Sequence, residues 1–157
     1  MRRINILFSE YAKSHRNPTN KLIHWICVPL IFFSILGFIS LIPSPHYCFS
    51  GLGCMSIVST VILLIITLYY FRLSLIMGIS MLLLMIFSEY LLYQINISLS
   101  RNSWMLYVLI FIAAWIFQFV GHKIEGKKPS FIKDLEFLLV GPIWLLAFIY
   151  KRLNIPY

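Results

Sequence analysis

The chain has 157 residues, 61% of them hydrophobic and 11% charged, a balance that excludes a water-soluble globule, because so much apolar surface cannot be hidden in so small a core. The net charge of +8 does not mark a nucleic-acid binder, since Lys and Arg flank apolar runs instead of forming a soluble basic face beside stackable aromatics. That placement fits membrane topology and anionic headgroups, and with no linker, low-complexity tract or repeat the chain reads as one all-α integral membrane domain over residues 1–157.

In chain order, Arg2 and Arg3 are followed by no apolar core or small-residue cleavage site, so no removable signal peptide is expected and the mature chain should start near Met1. Ile4, Leu7, Phe8 and Tyr11 recur at helical spacing, which predicts a short amphipathic helix on the membrane surface. Four stretches then approach the length needed to cross about 30 Å of hydrocarbon: Ile23 to Ile42, Gly51 to Phe71, Leu73 to Ile95 and Trp104 to Val120. A fifth run, Leu135 to Tyr150, is shorter, holds Gly141 and Pro142 at its centre, and reads as a re-entrant or interfacial helix. The expected architecture is thus a polytopic bundle of about four transmembrane helices, with an amphipathic helix before them and a re-entrant or interfacial helix after.

Basic residues set the orientation, because cytoplasmic flanks retain them during insertion. Arg2, Arg3, Lys13, Arg16 and Lys21 precede the first span, and Lys123, Lys127, Lys128 and Lys133 follow the fourth, so both termini are expected on the cytoplasmic side. The loop Pro43 to Ser50 has no basic residue and belongs opposite. A bacterial inner membrane and the endoplasmic reticulum impose the same rule, and the tail KRLNIPY carries no readable retrieval signal.

Cys27, Cys48 and Cys54 lack metal-type spacing and read as three thiols more readily than as a disulfide framework, although two can pair across a loop. Gly51 and Gly53 would permit close helix contact. Glu89 reads as an acid near the outer interface beside Tyr90 and Tyr93. His46, between Pro45 and Tyr47 in the opposite loop, is expected to be dispensable.

Two polar clusters stand against this background. The first runs from Ser14 through His15, Arg16, Asn17, Pro18, Asn20 and Lys21 to His24; the second holds Gln118, Gly121, His122, Glu125, Gly126, Lys127, Lys128 and Pro129. Both fall at the cytoplasmic boundary. Gln118 and His122 are four residues apart and His122 and Glu125 three, so one helical face can present all three. Asn17 and Pro18 interrupt helix, which lets His15 fold back over His24. Three imidazoles can then converge, and imidazole suits zinc, iron, copper or nickel, a nearby carboxylate favouring the open-sided sites of non-haem iron oxygenases. A lone interfacial histidine is more often a hydrogen-bonding residue; three at one depth beside Gln118 and Glu125 balance the two readings. No G-x-S-x-G, phosphate loop, dinucleotide fingerprint or H-E-x-x-H is present.

At these residues the chain resembles the small multispanning 2-hydroxy fatty acid dioxygenases, whose fungal members act in phytosphingosine breakdown. The resemblance rests on YAKSHRNPTNKLIHWICVPLI (Tyr11 to Ile31) and QFVGHKIEGKKPS (Gln118 to Ser130). It implies an Fe(II)-dependent oxygenase of fatty acid α-oxidation, in which a 2-hydroxy fatty acid and O2 give the acid one carbon shorter with loss of CO2. Carried over residue by residue, the metal ligands would be His15, His24 and His122, while Glu125, Asn17, Asn20 and Gln118 fall on motif positions as catalytic or supporting residues. Lys21, Lys127 or Lys128 would steer the substrate carboxylate, and Asn17, Asn20 or Glu125 would orient imidazole N–H groups. The family's acidic residue after the Pro of the last apolar run is missing from GPIWLLAFIY. Against the enzyme stand a non-enzymatic membrane lipid-binding or scaffold protein, and last a small transporter, for which the spans offer little mid-membrane polarity.

Overall fold

A computed structural model describes residues 2–49, 53–126 and 131–157, with the side chains of 131–136 excepted. Gly51, Lys127, Lys128, Pro129 and Ser130 lie outside the described residues, as do the side chains of Lys133, Leu135 and Glu136. The chain is mostly helical, at 82%. In order it forms α1 (Arg3–Ala12), α2 (Pro18–Ser40), β1 (His46–Phe49), β2 (Gly53–Ser56), α3 (Ile57–Leu73), α4 (Leu75–Leu99), a 3-10 turn (Ser100–Asn102), α5 (Ser103–Glu125) and α6 (Phe131–Arg152). Helix α2 and the 51-residue run Leu75–Glu125 are long and apolar enough to cross a membrane, and α3 is a shorter apolar helix of 17 residues.

The residues gather into two compact units, one of Met1–Phe32 with Phe111–Tyr157, the other of Phe33–Ile110. In the second, α3 and α4 pack together through Ser59, Leu63, Thr67 and Tyr70 on one helix and Met77, Met81, Met85, Glu89 and Leu92 on the other, all buried. The opposite stripes, Val61, Leu64, Ile65 and Leu68 on α3 and Leu75, Ile79, Leu83 and Phe87 on α4, are exposed and wholly apolar. This reverses the amphipathicity of a helix that faces water.

Two sequence expectations change in this unit. Within the second apolar stretch Gly53–Ser56 is strand and not helix: β1 and β2 pair as an antiparallel hairpin in the register His46↔Ser56 and Cys48↔Cys54, so the fold is not purely helical. Helix α3 starts only at Ile57, capped by Ser56, whose hydroxyl accepts from Ser59 N–H at 3.0 Å. Cys48 and Cys54 are joined as a disulfide across the two strands, leaving Cys27 as a buried thiol. Glu89, read as an acid near the outer interface, turns inward. It is buried at 5% exposure and lines a cavity of about 220 Å³ with Ser56, Ser59, Tyr93 and Asn96.

In the first unit, α1 forms where its periodicity predicts, but its apolar stripe does not face lipid. Ile4, Leu7, Phe8 and Tyr11 are buried against α6 and the C-terminal residues, with ring centroids at 4.8 Å for Tyr11–Trp144, 5.2 Å for Tyr11–Phe137 and 6.0 Å for Phe8–Tyr157. Each such burial is worth roughly 2 kcal/mol. Helix α6, expected as a re-entrant or interfacial helix, runs unbroken through Gly141 and Pro142 for 22 residues. Val140, Ile143, Trp144 and Leu145 around the proline are all buried, and their packing outweighs the missing hydrogen bond. Gly141 is required by a close approach, because a Cβ there would lie 2.9 Å from Val28 Cγ1 and 3.2 Å from the Tyr11 hydroxyl.

Candidate metal centre

Between α1 and α2 lies the short link that holds His15. Helix α2 starts where it does because the Asn17 side chain accepts from the N–H groups of Thr19 (2.8 Å) and Asn20 (3.4 Å), while Pro18 occupies the first helical position, where its missing N–H is no loss. This stop and restart turns His15 back over the first turns of α2, with its ring 4.2 Å from that of His24. His122, near the end of α5, brings a third ring to 5.6 Å from His15 and 5.1 Å from His24.

All three histidines are buried, and one ring nitrogen from each lies within 4.8 Å of the others. Two of the rings have their tautomer fixed by the backbone. His15 Nδ1 lies 2.7 Å from the Tyr11 carbonyl and His24 Nδ1 lies 2.9 Å from the Asn20 carbonyl; a carbonyl can only accept, so Nδ1 carries the proton and Nε2 keeps its lone pair. His15 Nε2 is buried without a hydrogen-bond partner among the described residues. Burial also pushes the His15 imidazole down from 6.5 to about 4, so it is neutral at physiological pH. Lone pairs held unprotonated on His15 and His24, with the His122 imidazole converging on them, make a donor set that suits a transition-metal ion, and the residues present fit one.

The remaining sequence-predicted residues take specific places. Glu125 does not join the three histidines. Its carboxylate reaches back to the link, where Oε1 accepts from Arg16 N–H at 2.8 Å and Oε2 from Asn17 N–H at 2.9 Å and the Asn20 amide at 3.0 Å. The N–H groups of His15 and His24 are therefore oriented by main-chain carbonyls and not by the Asn17, Asn20 or Glu125 side chains. Asn20 also donates to Ser14 O at 3.1 Å and is fully buried. Gly121 lies directly against it, and a Cβ on Gly121 would collide with Asn20 Oδ1. Gln118 lines a small pocket of about 40 Å³ with the three histidines, Val28, Ile31 and Trp115. Lys21 is half-buried and lies on a separate, larger cavity beside His15. His46 sits on β1 in the other unit, outside the cluster.

Sequence reasoning missed two contributors. Tyr11 stacks on His15 with centroids 4.1 Å apart and planes 3° from parallel, and Trp144 closes on the same ring at 5.6 Å. The four-residue spacing from Tyr11 to His15 was a usable signal. Nothing in the last apolar run distinguished Trp144 from its neighbours.

The sequence has relatives among known proteins. A family model described as 2-hydroxy-palmitic acid dioxygenase Mpo1-like matches residues 1–153. The 2-hydroxy-palmitic acid dioxygenase MPO1 of Saccharomyces cerevisiae is 27% identical over 144 residues, covering 90% of this chain and 76% of the yeast protein. No solved structure matches. The match runs through both polar clusters and the apolar segments between them, and the chain belongs to the Mpo1-like family.

Proposed function

We propose that this chain is a membrane-embedded Fe(II)-dependent dioxygenase that converts a 2-hydroxy fatty acid and O2 into the fatty acid one carbon shorter, CO2 and water. The balance is complete: R–CH(OH)–COOH plus O2 gives R–COOH, CO2 and H2O, the four electrons lost by the hydroxy acid reducing dioxygen without a further reductant. The observation that carries this reading is the trio of buried imidazoles of His15, His24 and His122 in a chain of this family.

His15, His24 and His122 would hold the ion, which when bound supplies Lewis acidity and the one-electron chemistry that dioxygen needs to react with a closed-shell substrate. The chain's own residues do the rest. The carbonyls of Tyr11 and Asn20 keep Nε2 of two rings unprotonated. Glu125 ties the His15 link to the end of α5. Tyr11, Trp144 and Trp115 wall the site off from water, and the buried Gln118 offers an amide beside His122. A long-chain acid lies in the leaflet with its carboxylate at the headgroups, the level to which the charge pattern assigns both clusters.

The topology belongs to the same proposal. The 51-residue run is interrupted at the 3-10 turn, giving two spans in α4 and α5 that join α2 and α3 to make four, with both termini cytoplasmic. Metal analysis of the purified chain tests the reading: about one iron per chain is expected, lost in His24→Ala and in His122→Ala and kept in His46→Ala. Protein that stays metal-free after ferrous reconstitution, or a shortened acid that still forms without oxygen, defeats it.

A further inference from the structure

A cavity of about 650 Å³ lies beside the histidines, with Lys13, Arg16, Lys21 and Lys151 around it. Among the described residues that line it there is no Asp or Glu. Its apolar wall is Phe8, Trp144 and Phe148, the last two in edge contact at 4.6 Å. His15 lines both this cavity and the 40 Å³ pocket of the imidazole cluster, and among the described residues no other is common to the two. Four cations with apolar ring faces between them, opening onto a buried imidazole, recognise an anion carried on a hydrocarbon chain.

We propose that this cavity is the headgroup site, binding the carboxylate of a long-chain 2-hydroxy acid through Lys13, Arg16 and Lys151 together with Lys21, with the first methylenes against Trp144 and Phe148. The assignment rests on the oxygenase reading for the identity of the acid. It adds three cations that the sequence left unassigned, one of them, Lys151, from the far end of the chain. The site selects charge at the head and hydrocarbon behind it. It therefore discriminates the free acid from its ester and is weakened by salt.

The test is equilibrium binding to the metal-free full chain in detergent, followed by tryptophan fluorescence, with 2-hydroxypalmitate and its methyl ester as probes. The acid should bind about tenfold more tightly than the ester, and Arg16→Gln and Lys151→Gln should each cost the acid about fivefold and the ester nothing. Lys151→Arg should restore the acid, and Arg101→Gln in the other unit should change neither probe. Equal binding of acid and ester, or an unchanged preference in the Arg16→Gln/Lys151→Gln double variant, overturns the proposal. Phosphatidate displacing the acid at lower concentration than the acid itself requires also overturns it, making the cavity a phospholipid headgroup site. Turnover of the iron-loaded enzyme separates the two claims. Selective acid binding without turnover keeps the cavity and sinks the oxygenase, while turnover with an unchanged KM in the charge variants does the reverse.

Discussion

Removing the Glu125 carboxylate should loosen the metal centre without removing a ligand. Its two oxygens accept three hydrogen bonds at 2.8, 2.9 and 3.0 Å from Arg16, Asn17 and Asn20, and Arg16 and Asn17 directly follow His15. Bonds to a charged acceptor are worth about 1.5–3 kcal/mol when dry. Arg16 is exposed and Glu125 half-buried, so water replaces part of the loss and about 1 kcal/mol per bond is the better figure. Glu125→Ala should then cost about 3 kcal/mol of link order, and Glu125→Gln, which keeps one carbonyl oxygen, about 1–2 kcal/mol.

The readout is metal affinity by chelator competition together with metal content after dialysis. Glu125→Ala should still take up the ion from excess metal but bind it about 10- to 100-fold more weakly, with Glu125→Gln between it and the parent. His122→Ala should take up none at any accessible concentration. Two results refute the reasoning. A Glu125→Ala protein as empty as His122→Ala would make the carboxylate a ligand, and one with the parent's affinity would mean that the link needs no tie.

Other outcomes follow from the same geometry. Gly121→Ala should displace the Asn20 amide, which has no room beside a methyl group, and lower both unfolding midpoint and metal affinity, whereas Gly126→Ala, with nothing within 4 Å of an added Cβ, should spare metal affinity and cost only backbone strain. Asn17→Ala removes the cap of α2 and should destabilise by about 1 kcal/mol in denaturant titration, a cost that Asn17→Ser or Asn17→Asp should recover. Maleimide counting on denatured, unreduced protein should find one thiol, Cys27, and three after reduction; three at the outset would remove the hairpin crosslink. Tyr11→Phe keeps the ring stacked on His15 and the main-chain acceptor and should hold metal normally, while Tyr11→Ala should lose about 3 kcal/mol of stability as a cavity opens under the imidazole.

The sequence made the helices legible because apolar runs of this length have few alternatives, and it made the meeting of His15 and His24 legible because Asn17–Pro18 can only end one helix and start another. The partners of Glu125 were not legible for an instructive reason. Helical spacing puts it on the face of His122, but spacing cannot show that a long side chain at a helix end turns toward a neighbouring link. The hairpin was hidden because His46 to Phe49 and Gly53 to Ser56 are too short for a periodicity of two to emerge beside a long apolar run. The persistence of α6 through Pro142 was hidden because local propensity argues for a break, and only tertiary packing of Val140, Ile143 and Trp144 argues against it. The burial of Glu89 was likewise hidden, because position along a helix says nothing about which way a residue faces.

The unit that carries the three imidazoles is discontinuous in the chain: residues 1–32 and 111–157 form it, and 33–110 lie between. The bonds that secure it join positions 105, 108 and 109 apart. During synthesis, therefore, His15 and His24 wait until the chain has emerged through Glu125, and no shorter nascent form brings the three imidazoles and the carboxylate together. A prematurely terminated product carries two imidazoles and neither the third nor the carboxylate that ties the link.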